Sequence, residues 1–292
     1  MSYREHAPPA ALAPWLECVW ERRGDGAPVR VLPDGCVDVV WTEGDDTLIV
    51  GANTSAFIVP LAPGTRVAGA RFAPGAGPAL LGLAAEELRD AKVAIEEVRA
   101  GDGARLAAQL DSHADPASGL VEWLSTVARD APRPDPVVRA VVDSLRHGPT
   151  DTPLSVGRLA EQLALSERQL RRRVAAAVGY GPKLLVRVLR LYRALDAARA
   201  GDELARVAAD AGYADQAHFA NECRELAGAP ATVLLQTWTE RDRFLQDGAR
   251  GERDHARHDY PTTNAHARLG DRVRGRSPGS ERLLPADVRP AR

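Results

Sequence analysis

The stretch LSVGRLAEQLALSERQLRRRVAAAV, from Leu154 to Val178, reads as two short helices separated by a tight break. Ser155 stands where the first helix needs an N-cap, and Val156, Leu159, Ala160 and Leu163 form its one apolar face. Ser166 caps the second helix, whose Leu170 and Val174 face inward, while Ala164-Leu165 supplies a turn anchored by a buried leucine. This is the geometry of a helix-turn-helix, in which the first helix supports and the second enters the major groove of DNA. On the second helix Arg168, Arg171, Arg172 and Ala175 follow at i, i+3, i+4 and i+7, opposite Leu170 and Val174. Guanidinium forks on that face suit bidentate contacts to guanine edges and pairing with phosphates.

Local charge supports the reading. Between Ser166 and Arg193 lie Arg168, Arg171, Arg172, Arg173, Lys183, Arg187, Arg190 and Arg193 against Glu167 alone, eight cations less one anion, in a chain of net charge -2. Such segregation is an electrostatic footprint for a polyanion. A solvated arginine face is the bland alternative, because an arginine-biased composition, with Lys92 and Lys183 the only lysines, fills exposed positions with guanidinia anyway.

Downstream, Gly179 closes the second helix and a long one follows from Pro182 to Arg199, burying Leu185, Val188, Leu189, Tyr192 and Leu195. After Gly201 a second pair is predicted: Asp202 as cap, Leu204 to Ala211, the turn Gly212-Tyr213-Ala214, then Asp215 to Leu226. Two such units on one connecting helix match successive major-groove faces roughly 34 Å apart. From Gln246 to Arg292 periodicity is lost, and interleaved Arg, Gly, Pro, His and Asp predict a disordered, solvated tail over 246–292.

Upstream, Val137 to His147 reads as a helix before a Gly148-Pro149 breaker, and Ala131-Pro132-Arg133-Pro134-Asp135-Pro136 is too proline-rich for a helix interior. Residues 131–136 are therefore the expected linker, dividing a 1–130 domain from a 137–245 domain. Strands are predicted at Cys18 to Arg22, Val29 to Leu32, Val37 to Trp41, Thr47 to Val50 and Val67 to Phe72, between turns such as Pro33-Asp34-Gly35. Helical spacing takes over at Ala79 to Leu83, Glu86 to Lys92, Arg105 to Leu110 and Gly119 to Ala128. The fold class expected is an α+β N-terminal domain, a small sheet or barrel plus helices, followed by an all-α double helix-turn-helix domain.

The 292 residues contain no apolar run near the ~18 needed to span a bilayer, and Met1 to Pro14 has no secretory pattern. Cys18, Cys36 and Cys223 form no CxxC pair, which fits a reducing, cytoplasmic setting without disulfides.

With these residues in place the C-terminal segment resembles the AraC/XylS-type transcription regulators. The resemblance is carried by Leu159-Ala160, Leu165-Ser166, Arg168, Leu170 and Arg172, Gly179 and Pro182, Arg190-Leu191 and Ala194, Val207-Ala208, Gly212-Tyr213, Asp215, His218-Phe219, and Gly228 with Pro230. It implies that Arg168, Arg171 and Arg172 contact DNA in the first unit, with Gln216, Ala217 and His218 opening the second recognition helix; Arg190, Gln216, His218 and Asn221 complete the candidate DNA-binding residues. Asn221 stands where the family usually has arginine, and Cys223 where it usually has a buried phenylalanine. Both departures predict a weaker second unit with a smaller core, so the first unit should dominate affinity. His218 has a capping or packing role as its alternative, and Cys223 a core role.

The resemblance extends, through Pro33-Asp34-Gly35-Cys36, Gly51, Arg71-Phe72 and Pro74-Gly75, to an uncharacterised N-terminal domain attached to such regulators and comparable in role to their cupin-like effector domains. It implies a sensor of a small-molecule effector or a dimerisation domain; apart from the resemblance, Trp20, Trp41 and Phe72 on the predicted strands are the candidate effector-binding residues. Trp15 and Phe57 could join them, although aromatic residues on strands are more often core. His6 and His113 are the only histidines in this domain, too few ligands for a metal-binding cupin, so neither metal nor cofactor is expected. Cys36 lacks a basic partner, and no catalysis is expected. The implied partners are double-stranded operator DNA, an effector, RNA polymerase and a second copy of the chain, with no membrane. An adaptor that has lost DNA binding is the alternative.

Overall fold

The computed structural model describes residues 2–147 and 155–237. The N-terminal region runs β1 (Ser2–His6), β2 (Leu16–Arg23), β3 (Val29–Val31), β4 (Asp38–Thr42), β5 (Leu48–Val50), β6 (Phe57–Val59), β7 (Arg66–Phe72), α1 (Gly77–Leu81), α2 (Ala85–Leu88), β8 (Lys92–Ala94), α3 (Ile95–Val98), α4 (Ala100–Ser112) and α5 (Pro116–Val127). An antiparallel sheet has the order β1-β2-β7-β4-β5-β8, and β3 pairs separately with β6. The sheet is open, with β1 and β8 at its edges, and does not close into a barrel.

Alternation along the strands makes two cores from one sheet. Val19, Val39, Trp41, Ala68, Ala70 and Phe72 meet Leu80, Leu106, Leu110, Leu120 and Leu124 of the helices on one face. Cys18, Trp20, Val40, Val50 and Val67 meet Val31, Val59 and Leu61 on the other. Gly69 admits the Trp20 ring, since a Cβ there would lie 2.2 Å from it.

Three short strands, β1, β6 and β8, were not foreseen in the sequence, and the helix expected to reach Lys92 stops at Leu88. Asp90, at φ 54°, turns the chain, and Lys92–Ala94 then pairs with β5. Edge pairing decides that segment, because three residues carry no periodicity. The helix expected from Gly119 begins earlier, at Pro116, where Asp115 caps it through the amides of Ala117 and Ser118.

No regular element is assigned to 131–135, but those residues are held: Trp15 Nε1 donates to the Pro132 carbonyl at 3.1 Å, and the Arg133 guanidinium lies over the Trp15 ring. The rest is helical: α6 (Pro136–His147), α7 (Val156–Gln162), α8 (Glu167–Val178), α9 (Pro182–Arg199), α10 (Leu204–Asp210), α11 (Gln216–Ala227) and α12 (Ala231–Thr237). One core gathers α6 to α9 around Val141, Leu159, Leu170, Val174 and Leu185. The other gathers α9 to α12 around Leu191, Leu195, Val207, Phe219, Cys223 and Leu234. Asp202 is not the cap expected of it: Glu203 holds the N-cap position of α10 with no side-chain capping bond, and Asp202 instead lies 3.9 Å from Arg206. Among the described residues no helix is long and apolar enough to cross a membrane. The Gly148-Pro149 breaker and the 246–292 tail lie outside the described residues.

Candidate nucleic-acid interface

The first helix pair is built by its caps. Ser166 Oγ accepts from the Gln169 amide at 3.2 Å while Gln169 Oε1 accepts from the Ser166 amide at 2.9 Å, a complete capping box at the start of α8. Ser155 caps α7 through the Arg158 amide. The turn between them places Ala164 at φ 53° and returns the Leu165 amide to the Ala160 carbonyl at 2.9 Å, with Leu165 half-buried.

The second pair repeats this geometry. Gly212 takes φ 76°, the Tyr213 amide returns to the Ala208 carbonyl at 2.8 Å, and Asp215 caps α11 through the His218 amide at 2.7 Å. His218 Nδ1 accepts from the Ala214 amide at 3.3 Å and its ring stands edge-on to Tyr213. That nitrogen therefore serves the cap. Cys223 is fully buried in the second core, and burial pushes its thiol up to about 12, beyond useful nucleophilicity. Burial likewise raises the thiols of Cys18 and Cys36.

The structure sorts the arginines that the sequence presents as one cluster. Arg168 and Arg172 are exposed on α8, and no acidic partner faces them among the described residues. Lys183, at the start of α9, is exposed in the same way. Arg171 is exposed but pairs with Glu167 one turn earlier. Arg173 points away from that face and grips Asp135 of the 131–135 segment with two bonds of 2.7 Å. The Arg173 hydrogen bonds hold the Asp135 carboxyl below the usual range.

Arg187 and Arg190 turn inward. Both reach Glu222, which is 4% exposed, at 2.9 and 2.8 Å, and Arg190 also lies 4.1 Å from the Tyr213 ring centre. Burial pushes the Glu222 carboxyl up, but the hydrogen bonds and charges of the two arginines outweigh it and hold the group below its ordinary value. Arg190, expected to contact DNA, thus ties α9 to α11. Gln216, Ala217 and Asn221 are exposed on α11, and Asn221 Oδ1 accepts from Arg224 at 2.7 Å. Arg224 was missed in the sequence, although its i+3 spacing from Asn221 was the signal available.

The N-terminal domain docks on the C-terminal ends of both recognition helices. At α8, the Ala85 carbonyl lies so close to Gly179 that a Cβ would come within 2.4 Å, and Arg89 Nη1 donates to the Gly179 carbonyl at 3.4 Å. At α11, the Ala56 amide donates to the Leu226 carbonyl at 2.7 Å and Arg30 Nη1 to the Ala227 carbonyl at 2.9 Å. Arg146 of α6 pairs with Glu17 of β2 at 2.8 Å, both nearly buried. Carbonyls at a helix C-terminus are the unsatisfied, partly negative end of the dipole, so guanidinium donors suit them. The amino-terminal turns that carry Arg168 and Gln216 stay exposed.

Trp20, Trp41 and Phe72 do not converge. Trp20 lies in the core beside β3 and β6 with Nε1 donating to Asp38 at 3.1 Å. Trp41 and Phe72 lie in the core on the opposite sheet face, Trp41 donating to Asp111 at 2.9 Å.

Comparison with known proteins agrees with this geometry. Residues 159–237 match a family described as a helix-turn-helix domain, and residues 4–94 match one described as a domain of unknown function (DUF6597). No curated protein matches the chain. Similar solved structures include the C-terminal domain of AraT, a response regulator from Geobacillus stearothermophilus, at 20% identity over 35% of this chain and 86% of that one with a TM-score of 0.33. Apo ToxT from Vibrio cholerae is 12% identical over 75% of this chain and 96% of that one, TM-score 0.42. ToxT bound to an unsaturated fatty acid is 12% identical over 80% and 96%, TM-score 0.40. With two capped helix pairs, an exposed arginine face on the first, and the family match over both, the chain joins a C-terminal helix-turn-helix domain to an N-terminal domain of unknown function.

Proposed function

We propose that the protein binds operator DNA in a sequence-specific way, with α8 reading the major groove through Arg168, Arg171 and Arg172 and supplying most of the affinity. The observation that carries this is the pair of exposed guanidinia, Arg168 and Arg172, that no carboxylate among the described residues engages, on a fully capped helix whose amino-terminal turn is open. The second unit contributes through Gln216 and Asn221, with His218 chiefly a cap and Arg190 a brace behind the interface. Phosphate contacts make the affinity fall steeply with salt, and base-edge contacts set the sequence.

The N-terminal domain is proposed to sense a small molecule and to act through its contacts with Gly179, Leu226 and Ala227, which reach both recognition helices at once. Homodimerisation and contact with RNA polymerase belong to the same reading. Selection from a random DNA pool tests it, run with the full chain and with Arg168, Arg171 and Arg172 all changed to alanine. An enriched motif lost in the triple variant is expected. A folded protein that enriches nothing, and that fails to retard random DNA, would favour the adaptor reading.

A further inference from the structure

On the helix-covered face of the sheet, beside the β1 edge, lies a pocket of about 310 Å³ lined by Arg4, Glu21, Arg23, Trp41 and Arg66 and roofed by Pro116. We propose that this pocket binds a compact dianion, a phosphate monoester or a dicarboxylate, held between Arg23 and Arg66. The proposal names the class of ligand for the sensing role given above and rests on that role for its regulatory meaning.

Strand register carries the argument. Directly opposite residues of antiparallel strands share a face with Cβ atoms about 5 Å apart, and like charges there repel. Arg4 is opposite Glu21, a complementary pair, but Arg23 is opposite Arg66. Neither member of that second pair has an ion pair among the described residues, and the carboxylates around it are engaged elsewhere. Glu43 accepts from the Arg66 backbone amide, Asp111 from Trp41 Nε1, and Glu21 faces His6 at 3.7 Å as well as Arg4.

Arg66 is also pre-positioned. Its guanidinium stacks over Trp41 at 5.4 Å, and Nη2 donates to the His113 carbonyl at 3.3 Å. A stacked, half-buried guanidinium beside a second, exposed one offers two planar forks to one anion, which is the recognition geometry of phosphate and carboxylate groups. The pocket is too small and too polar for an extended apolar ligand.

The test is thermal unfolding of the full chain with inorganic phosphate and, separately, succinate, each against sodium chloride at matched ionic strength. At about ten times Kd one anion should raise Tm by about 3 °C, and which anion does so identifies the source chemistry. Arg23→Gln should abolish the rise, and its own Tm without anion should exceed the wild-type value by about 1 °C because the opposed pair is gone. Arg172→Ala, which alters the DNA-binding face instead, should keep the rise. The proposal is overturned if neither anion shifts Tm beyond chloride, if Arg23→Gln keeps the shift, or if Arg172→Ala loses it. DNA affinity with and without the anion is read separately: binding that leaves it unchanged would uphold the pocket and refute the sensing role.

Discussion

Replacing arginines one at a time should reveal a hierarchy that the charge count hides. Arg172→Ala removes an exposed guanidinium with no acidic partner among the described residues, so no ion pair there is released to offset the lost contact, and a base or phosphate contact of this kind is worth about 1 to 3 kcal/mol, roughly 5- to 150-fold in Kd. Arg168→Ala should behave alike. Arg171→Ala should cost less, because Arg171 gives up its Glu167 pair to reach DNA. Arg173→Ala and Arg190→Ala should leave intrinsic DNA contacts intact, since these guanidinia are committed to Asp135 and Glu222, and should instead lower Tm. Asn221→Ala should cost least among the exposed positions.

The assay is fluorescence anisotropy on a selected operator duplex across a salt series, with thermal unfolding of each variant alongside. Where Arg172 contacts a phosphate, its loss also flattens the slope of log K against log salt by about 0.9; where it contacts a base, discrimination relaxes and the slope holds. Equal losses for Arg172→Ala and Asn221→Ala would refute the dominance of the first unit. A loss for Arg173→Ala as large as for Arg172→Ala, at unchanged Tm, would refute the sorting of the cluster.

Other expectations follow from burial and backbone geometry. Gly179→Ala places a Cβ at φ 90° and 2.4 Å from the Ala85 carbonyl, so it should destabilise by about 2 kcal/mol or more and speed limited proteolysis within 131–135 as the domains loosen. Glu222→Ala takes the carboxylate from Arg190 and leaves Arg187 only the exposed Glu225, and it should cost about 3 kcal/mol in chemical denaturation, an effect that a loss under about 0.5 kcal/mol would contradict. Because the Glu222 carboxyl is held below its ordinary value, its contribution is full above the unfolded value near 4.5 and disappears as pH falls through the folded one. Asp38 runs the opposite way: burial raises it from 3.8 to about 6, so the folded state binds the extra proton and stability declines as pH rises across that window. Asp38→Asn should flatten that part of a stability profile measured from pH 4 to 7, and an unchanged slope would argue against the assignment.

Much of the DNA-binding domain was legible because its signals are local. A serine cap before an apolar 3.6-residue period, a glycine after it, and Pro182 at the next helix start each report on four or five neighbouring residues, and all were found in place. The β1, β6 and β8 strands were not legible, since segments of three to five residues become strands only when a partner supplies hydrogen bonds. For the same reason Trp20, Trp41 and Phe72 looked like one group in sequence, while strand alternation sends Trp20 to one face and the other two to the opposite face.

By itself the sequence determined the two helix pairs, the serine caps of the first pair, and the concentration of positive charge around them, because propensity, capping and periodicity act within a few residues. Tertiary structure alone decided which of those charges remain available. Arg173 found Asp135, distant by 38 positions, and Arg190 found Glu222, distant by 32, through folding of the whole chain. Tertiary structure also set one domain against the C-terminal ends of both recognition helices, and brought Arg23 opposite Arg66. The physical reason is common to all three: ion pairing, docking and strand register depend on distances in space, which no local pattern of residues encodes.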